Sequence, residues 1–125
     1  LLPTAGGPDS DLSATTAKLL QSEYDAEVTL LNVADDTERA EAFLEEWAAE
    51  HGLEDADLRV ASGDVETAIE AAAEEHTMLL IGATEEGLLR RLVSGSLVLD
   101  VVDDVDCSVL LAEKHRSRGL LERLL

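Results

Sequence analysis

The sequence predicts an α/β domain with a doubly wound, five-stranded parallel sheet between two layers of helices, three layers in all. Three observations carry that expectation. Short apolar runs alternate with helix-period stripes along the whole chain, the order expected of a parallel sheet. One run, Met78-Leu79-Leu80-Ile81, has no polar alternation, as in a strand covered on both faces. The 125 residues, 46% of them hydrophobic, suffice for one core but not two.

The elements follow in order. Leu1-Leu2-Pro3 ends a first strand and runs into the turn Thr4 to Pro8. Asp9 or Ser10 caps a helix reaching to about Tyr24, with Leu12, Leu19 and Leu20 expected inward. Val28 to Val33 is a second strand. In the second helix Ala40, Phe43, Leu44, Trp47 and Ala48 fall on one stripe, opposite carboxylates, and His51-Gly52 marks its end. Leu58 to Ala61 is a short third strand. Gly63-Asp64 opens a third helix with Val65, Ala68, Ile69, Ala72 and Ala73 inward. The fourth strand empties into Gly82 to Gly87; a short helical piece, Leu88 to Val93, precedes a last helix opening at Gly95-Ser96 and carrying Val98, Val101, Val102 and Val105. Ser108 to Leu111 is a fifth strand. Right-handed crossovers place helices on both faces. Residues 1–113 read as one domain, and residues 114–125 as a basic, apolar tail.

Charge narrows the partners. Against 28 acidic residues stand 9 basic ones, a net charge of −19. Such a surface repels phosphate backbones and anionic lipid, so nucleic acid is not an expected partner. Lysine occurs only at Lys18 and Lys114, and the acidic, lysine-poor balance fits a protein adapted to high salt. The single Cys107 permits no internal disulfide and fits a reducing compartment. No apolar run reaches the ~20 residues of a membrane span, and no signal-peptide pattern is present. A cytoplasmic location is expected. The chain starts at Leu1 without a Met, which raises the expectation of a domain from a longer protein.

In an open parallel sheet, ligands bind beyond the carboxyl ends of the strands. The segments expected there are Pro3 to Gly7, Val33 to Asp35, and Gly82 to Ser96. Gly82 lets a ligand approach the backbone closely, and the helix start at Gly95-Ser96 offers free N–H groups to an anion. The same residues also serve as plain turn and cap residues, so alone they leave both readings open.

This pattern resembles the universal stress protein family. Gly82-x-x-Glu85, nine residues, then Gly95-Ser96 is similar to that family's ATP-binding motif. Leu2-Pro3-Thr4 with its glycine turn, Gly63 to Ile69, and Cys107 to Leu111 look like its first strand, third helix start and last strand. The resemblance implies an adenine nucleotide alpha hydrolase-like fold and a nucleotide site lined by Pro3, Thr4, Ala5, Val33, Gly82, Glu85, Gly95 and Ser96. It also implies that the site is degenerate. ATP-binding members carry an Asp where this chain has Ala5, and a second glycine where it has Glu85. A carboxylate about 4 Å from a phosphate costs roughly 4 kcal/mol at an effective dielectric near 20, and a lost ribose hydrogen bond costs about 1 kcal/mol. ATP and AMP are the cofactor candidates, and tight ATP binding is not expected.

Other residues read as structural. His51 and His76 suit the negative ends of helices, Trp47 belongs to the core, and Cys107 is a small residue before a strand. No nucleophile–base pair or metal-ligand spacing is evident, so no enzyme activity is expected. Lys114, Arg116, Arg118 and Arg123 interleave with four leucines in the tail; this is either an end held against the acidic body or an amphipathic helix. The expected function is a regulatory binding domain, homodimeric through the edge strand Ser108, Val109, Leu110 and Leu111. Such domains occur at the cytoplasmic end of amino-acid transporters, and the opening from Pro3 to Pro8 looks like that subgroup. The alternative is a free-standing ATP-binding universal stress protein.

Overall fold

The computed structural model describes residues 1–6, 10–82 and 105–112. Eight elements lie within them: β1 (Leu2–Pro3), α1 (Ser10–Tyr24), β2 (Thr29–Val33), α2 (Thr37–Glu50), β3 (Asp57–Ala61), α3 (Val65–Ala73), β4 (Met78–Gly82) and β5 (Ser108–Ala112). The helical piece at Leu88 to Val93, the last helix expected at Gly95-Ser96, and the 114–125 tail lie outside the described residues.

Every strand pair is parallel. β2 sits between β1 and β3, with Leu2 opposite Leu30 and Leu30 opposite Leu58. β4 and β5 form a second ladder, with Leu80 opposite Leu110. The two ladders meet where the Leu1 nitrogen donates to Met78 O and Leu80 N–H donates to Leu1 O, both at 2.8 Å. These bonds give the order β3-β2-β1-β4-β5, so β1 and β4 flank the point where chain order reverses. Two rungs join them among the described residues. In this register the next donor is the Pro3 nitrogen, which carries no hydrogen.

Alternation sorts the strand side chains into two layers of core. Leu2, Leu30 and Leu80 pack with Ala14, Ala17, Leu44 and Trp47 from α1 and α2. Leu31, Leu79 and Ile81 pack with Val65, Ile69 and Ala73 from α3 on the other face. β4 is covered on both sides, as its unbroken apolar run predicts.

The helices end where their sequences stop them. Asp36 caps α2 by accepting from Arg39 N–H at 3.2 Å; Asp64 caps α3 by accepting from Thr67 N–H at 3.0 Å. Each such cap contributes about 1 kcal/mol. Trp47 is buried on the expected stripe.

One inward assignment is corrected. Leu19 is 55% exposed, whereas Ser13, Ala14 and Ala17 are buried. Small residues let α1 approach the sheet closely, and Leu19 lies about 200° round the helix from Ala17. Leu12 and Leu20 flank the contact, half-buried. Leu58 is likewise 39% exposed, because β3 is an outer strand of the sheet.

Candidate functional site

The parallel strands bring the ends of β1, β2 and β4 to one side of the sheet, and with them Pro3, Thr4, Ala5, Val33 and Gly82. The loop leaving β1 is fixed by its own backbone and by β2. Thr4 N–H donates to Leu31 O at 2.9 Å, which carries the β1–β2 pairing one residue past the strand. Asn32 Nδ2–H then donates to Thr4 O at 2.9 Å. Gly6 N–H turns back to Thr4 Oγ1 at 3.2 Å. Gly6 has φ of +80°, and a Cβ there would stand 3.4 Å from the Phe43 ring, so loop and α2 touch at this point.

Thr4 is buried while Ala5 is exposed, so the loop presents Ala5 outward. Beside it opens a cavity of about 430 Å³ lined by Ala5, Asn32, Asp35, Asp36, Arg39 and Phe43. Its rim is mixed in charge: Asp35 and Asp36 follow β2, and Arg39 lies one turn into α2. Val33 is half-buried and packs toward the α3 face, leaving Ala34 on the cavity wall. Glu85, Gly95 and Ser96 lie outside the described residues.

Sequence reasoning missed Asn32, whose amide holds the loop in place. Its signal was a polar amide within the apolar run Val28 to Val33. Phe43 was assigned to the core stripe, yet it is half-buried and also meets the loop.

A second cavity, about 150 Å³ and apolar, opens at the opposite, amino ends of the strands, among Leu1, Leu20, Val28, Met78 and Leu80. Nearby, burial pushes the Leu1 amine below its usual 8.0, against an opposing influence of Cys107. Among the described residues no group of three or more His, Cys, Asp or Glu side chains is placed to hold a metal ion. No helix among them is long and apolar enough to cross a membrane.

Comparison with known proteins gives one consistent result. The profile of the universal stress protein family matches residues 1–113. Among solved structures, a universal stress protein in complex with cAMP superimposes with a TM-score of 0.71 at 19% identity, covering 91% of this chain and 94% of that one. The hypothetical protein MJ0577 gives 0.67 at 19% identity, covering 92% and 95%. The universal stress protein UspA from Lactobacillus plantarum gives 0.60 at 20% identity, covering 89% and 94%. No curated protein sequence matches the chain.

Proposed function

Because the chain belongs to the universal stress protein family, we propose that it is a regulatory binding domain whose nucleotide-type site, between the ends of β1 and β4, no longer holds ATP tightly. One observation carries this reading. The loop from Pro3 to Gly6 is tied down as firmly as a ligand-facing loop needs to be, yet the residue it turns outward is Ala5. A methyl group can neither accept from a ribose hydroxyl nor steer a phosphate. The related structure that holds cAMP supports a small nucleotide as the ligand class. If Glu85 stands where the family resemblance puts it, a monophosphate meets less repulsion there than a triphosphate does.

Calorimetry at high salt with ATP, AMP and cAMP tests this. ATP should bind more weakly than about 10 μM. Ala5→Asp combined with Glu85→Gly should tighten ATP binding by about ten-fold or more. Tighter binding by the unaltered chain would refute the degenerate site and favour the free-standing ATP-binding protein. The reading assigns no catalytic step to the site.

Assembly belongs to the same proposal. The two outer strands differ in a way that favours pairing through one of them. β3 carries Asp57 and Arg59, charges that guard an edge, whereas β5 carries Val109, Leu110 and Leu111 with no charge. Leu110 and Leu111 are 41% and 50% exposed. A second copy laid along β5 would cover them and satisfy the strand's outer backbone groups. Attachment to the membrane domain of a transporter completes the proposal, supported by the likeness of the Pro3 to Pro8 opening to transporter-linked members. Sequencing the parent gene upstream of the Leu1 codon tests it.

A further inference from the structure

Two histidines close helix ends in this domain, and each places Nδ1 at 2.7 Å from the carbonyl four residues back: Trp47 O for His51, Ala72 O for His76. They differ at Nε2. For His76 that nitrogen lies 2.9 Å from Thr29 Oγ1, a hydroxyl able to donate. A neutral ring with its hydrogen on Nδ1 satisfies both contacts. For His51 it lies 2.9 Å from Asp11 Oδ1, which when ionised only accepts. With an acceptor at each nitrogen, the two bonds of His51 coexist only while both nitrogens carry hydrogen, as in the imidazolium.

The Trp47 ring stacks on His51 with centroids 4.3 Å apart, and the negative end of α2 lies against it. Asp11 and Lys18 of α1 reach this end, and Glu50, Glu54 and Asp55 are near it in the chain. Lys18 Cε comes within 3.9 Å of where a Cβ on Gly52 would stand. The His51 side chain is 16% exposed and that of Asp11 69%, so the pair is worth what a half-exposed surface pair is worth.

We propose that His51 is a proton-dependent latch joining the first turn of α1 to the last turn of α2. It is closed as the imidazolium and released when the ring loses one proton. The latch bears on the loop described above from two sides. Asp11 stands at the start of the helix that the loop enters, and α2 touches that loop through Phe43. His76, with a hydroxyl partner, keeps both of its bonds in either state.

The test uses the full chain at one fixed ionic strength. Nitrogen-edited NMR of the rings should show hydrogen on both nitrogens of His51 at about pH 6, and on Nδ1 alone of His76 at about pH 8. A double-mutant cycle of His51→Gln and Asp11→Asn, read from urea unfolding, should give about three-fold coupling in the unfolding constant at pH 6. At pH 8 it should fall to near one. Amide exchange in the first turn of α1 should quicken by a similar factor over the same rise in pH. If His51→Gln does not fold, the comparison of Asp11→Asn with the parent chain at the two pH values gives the same reading. Coupling that is absent, or equal at both pH values, overturns the proposal, as does a singly protonated His51 ring at pH 6.

Discussion

Replacing Asn32 by alanine removes the amide that donates to Thr4 O at 2.9 Å, and with it the side-chain tie between β2 and the loop after β1. A neutral intramolecular hydrogen bond contributes about 1 kcal/mol net. For 125 residues at about 2.1 cal/mol/K each, the unfolding entropy is about 0.26 kcal/mol/K, so 1 kcal/mol corresponds to a fall in Tm of about 4 °C. Asn32→Asp should cost more than Asn32→Ala. It is nearly the same size but sets a carboxylate, an acceptor only, against a carbonyl oxygen. Calorimetric melting of the three proteins at one salt concentration measures both differences. Ligand titration then shows whether the loop serves the site, since a loosened loop should weaken nucleotide binding in both variants. Melting of both variants within about 1 °C of the parent would refute the claim that Asn32 holds the loop.

Three other outcomes are expected. Sedimentation in molar salt should show a dimer at tens of micromolar that Leu110→Lys converts to monomer; a monomeric parent chain would remove the β5 interface. Stability should rise with added KCl as the repulsion of −19 net charge is screened, and a flat Tm from low to molar salt would defeat the high-salt reading. In the 125-residue chain the Leu1 amine binds its proton less readily when folded than its ordinary 8.0. Its contribution to stability should therefore grow as pH rises from the lowered value through 8.0, and decline as pH falls; an Nα-acetylated chain with the same slope would contradict this.

Much of the architecture was legible because burial on two faces, or on one stripe, leaves a periodic trace. Met78 to Ile81 had to be a covered strand, and Ala40, Leu44, Trp47 and Ala48 had to face one way. The trace failed at α1, where contact is made by Ser13, Ala14 and Ala17. Side chains this small carry little hydrophobic signal, so the larger Leu19 drew the assignment to the wrong face. Pro3, Thr4, Ala5, Val33 and Gly82 stand together at the carboxyl ends of the strands, as strand order predicts. Asn32 was not expected among them, since its role is a bond to a carbonyl 28 residues away, and no local pattern encodes such a partner. The His51–Asp11 contact spans 40 residues and was hidden for the same reason.

Pro3 gives the meeting of β1 and β4 a further meaning. Two strands that could zip to their ends would bring their carboxyl termini together, and an opening there would depend on the neighbouring loops. Here a pyrrolidine ring stands where the donor of the third rung would be, so the missing hydrogen bond is written into the covalent chain. That gap in the ladder belongs to the backbone and does not depend on the side chains around it. Substitutions at neighbouring positions such as Ala5 leave it in place.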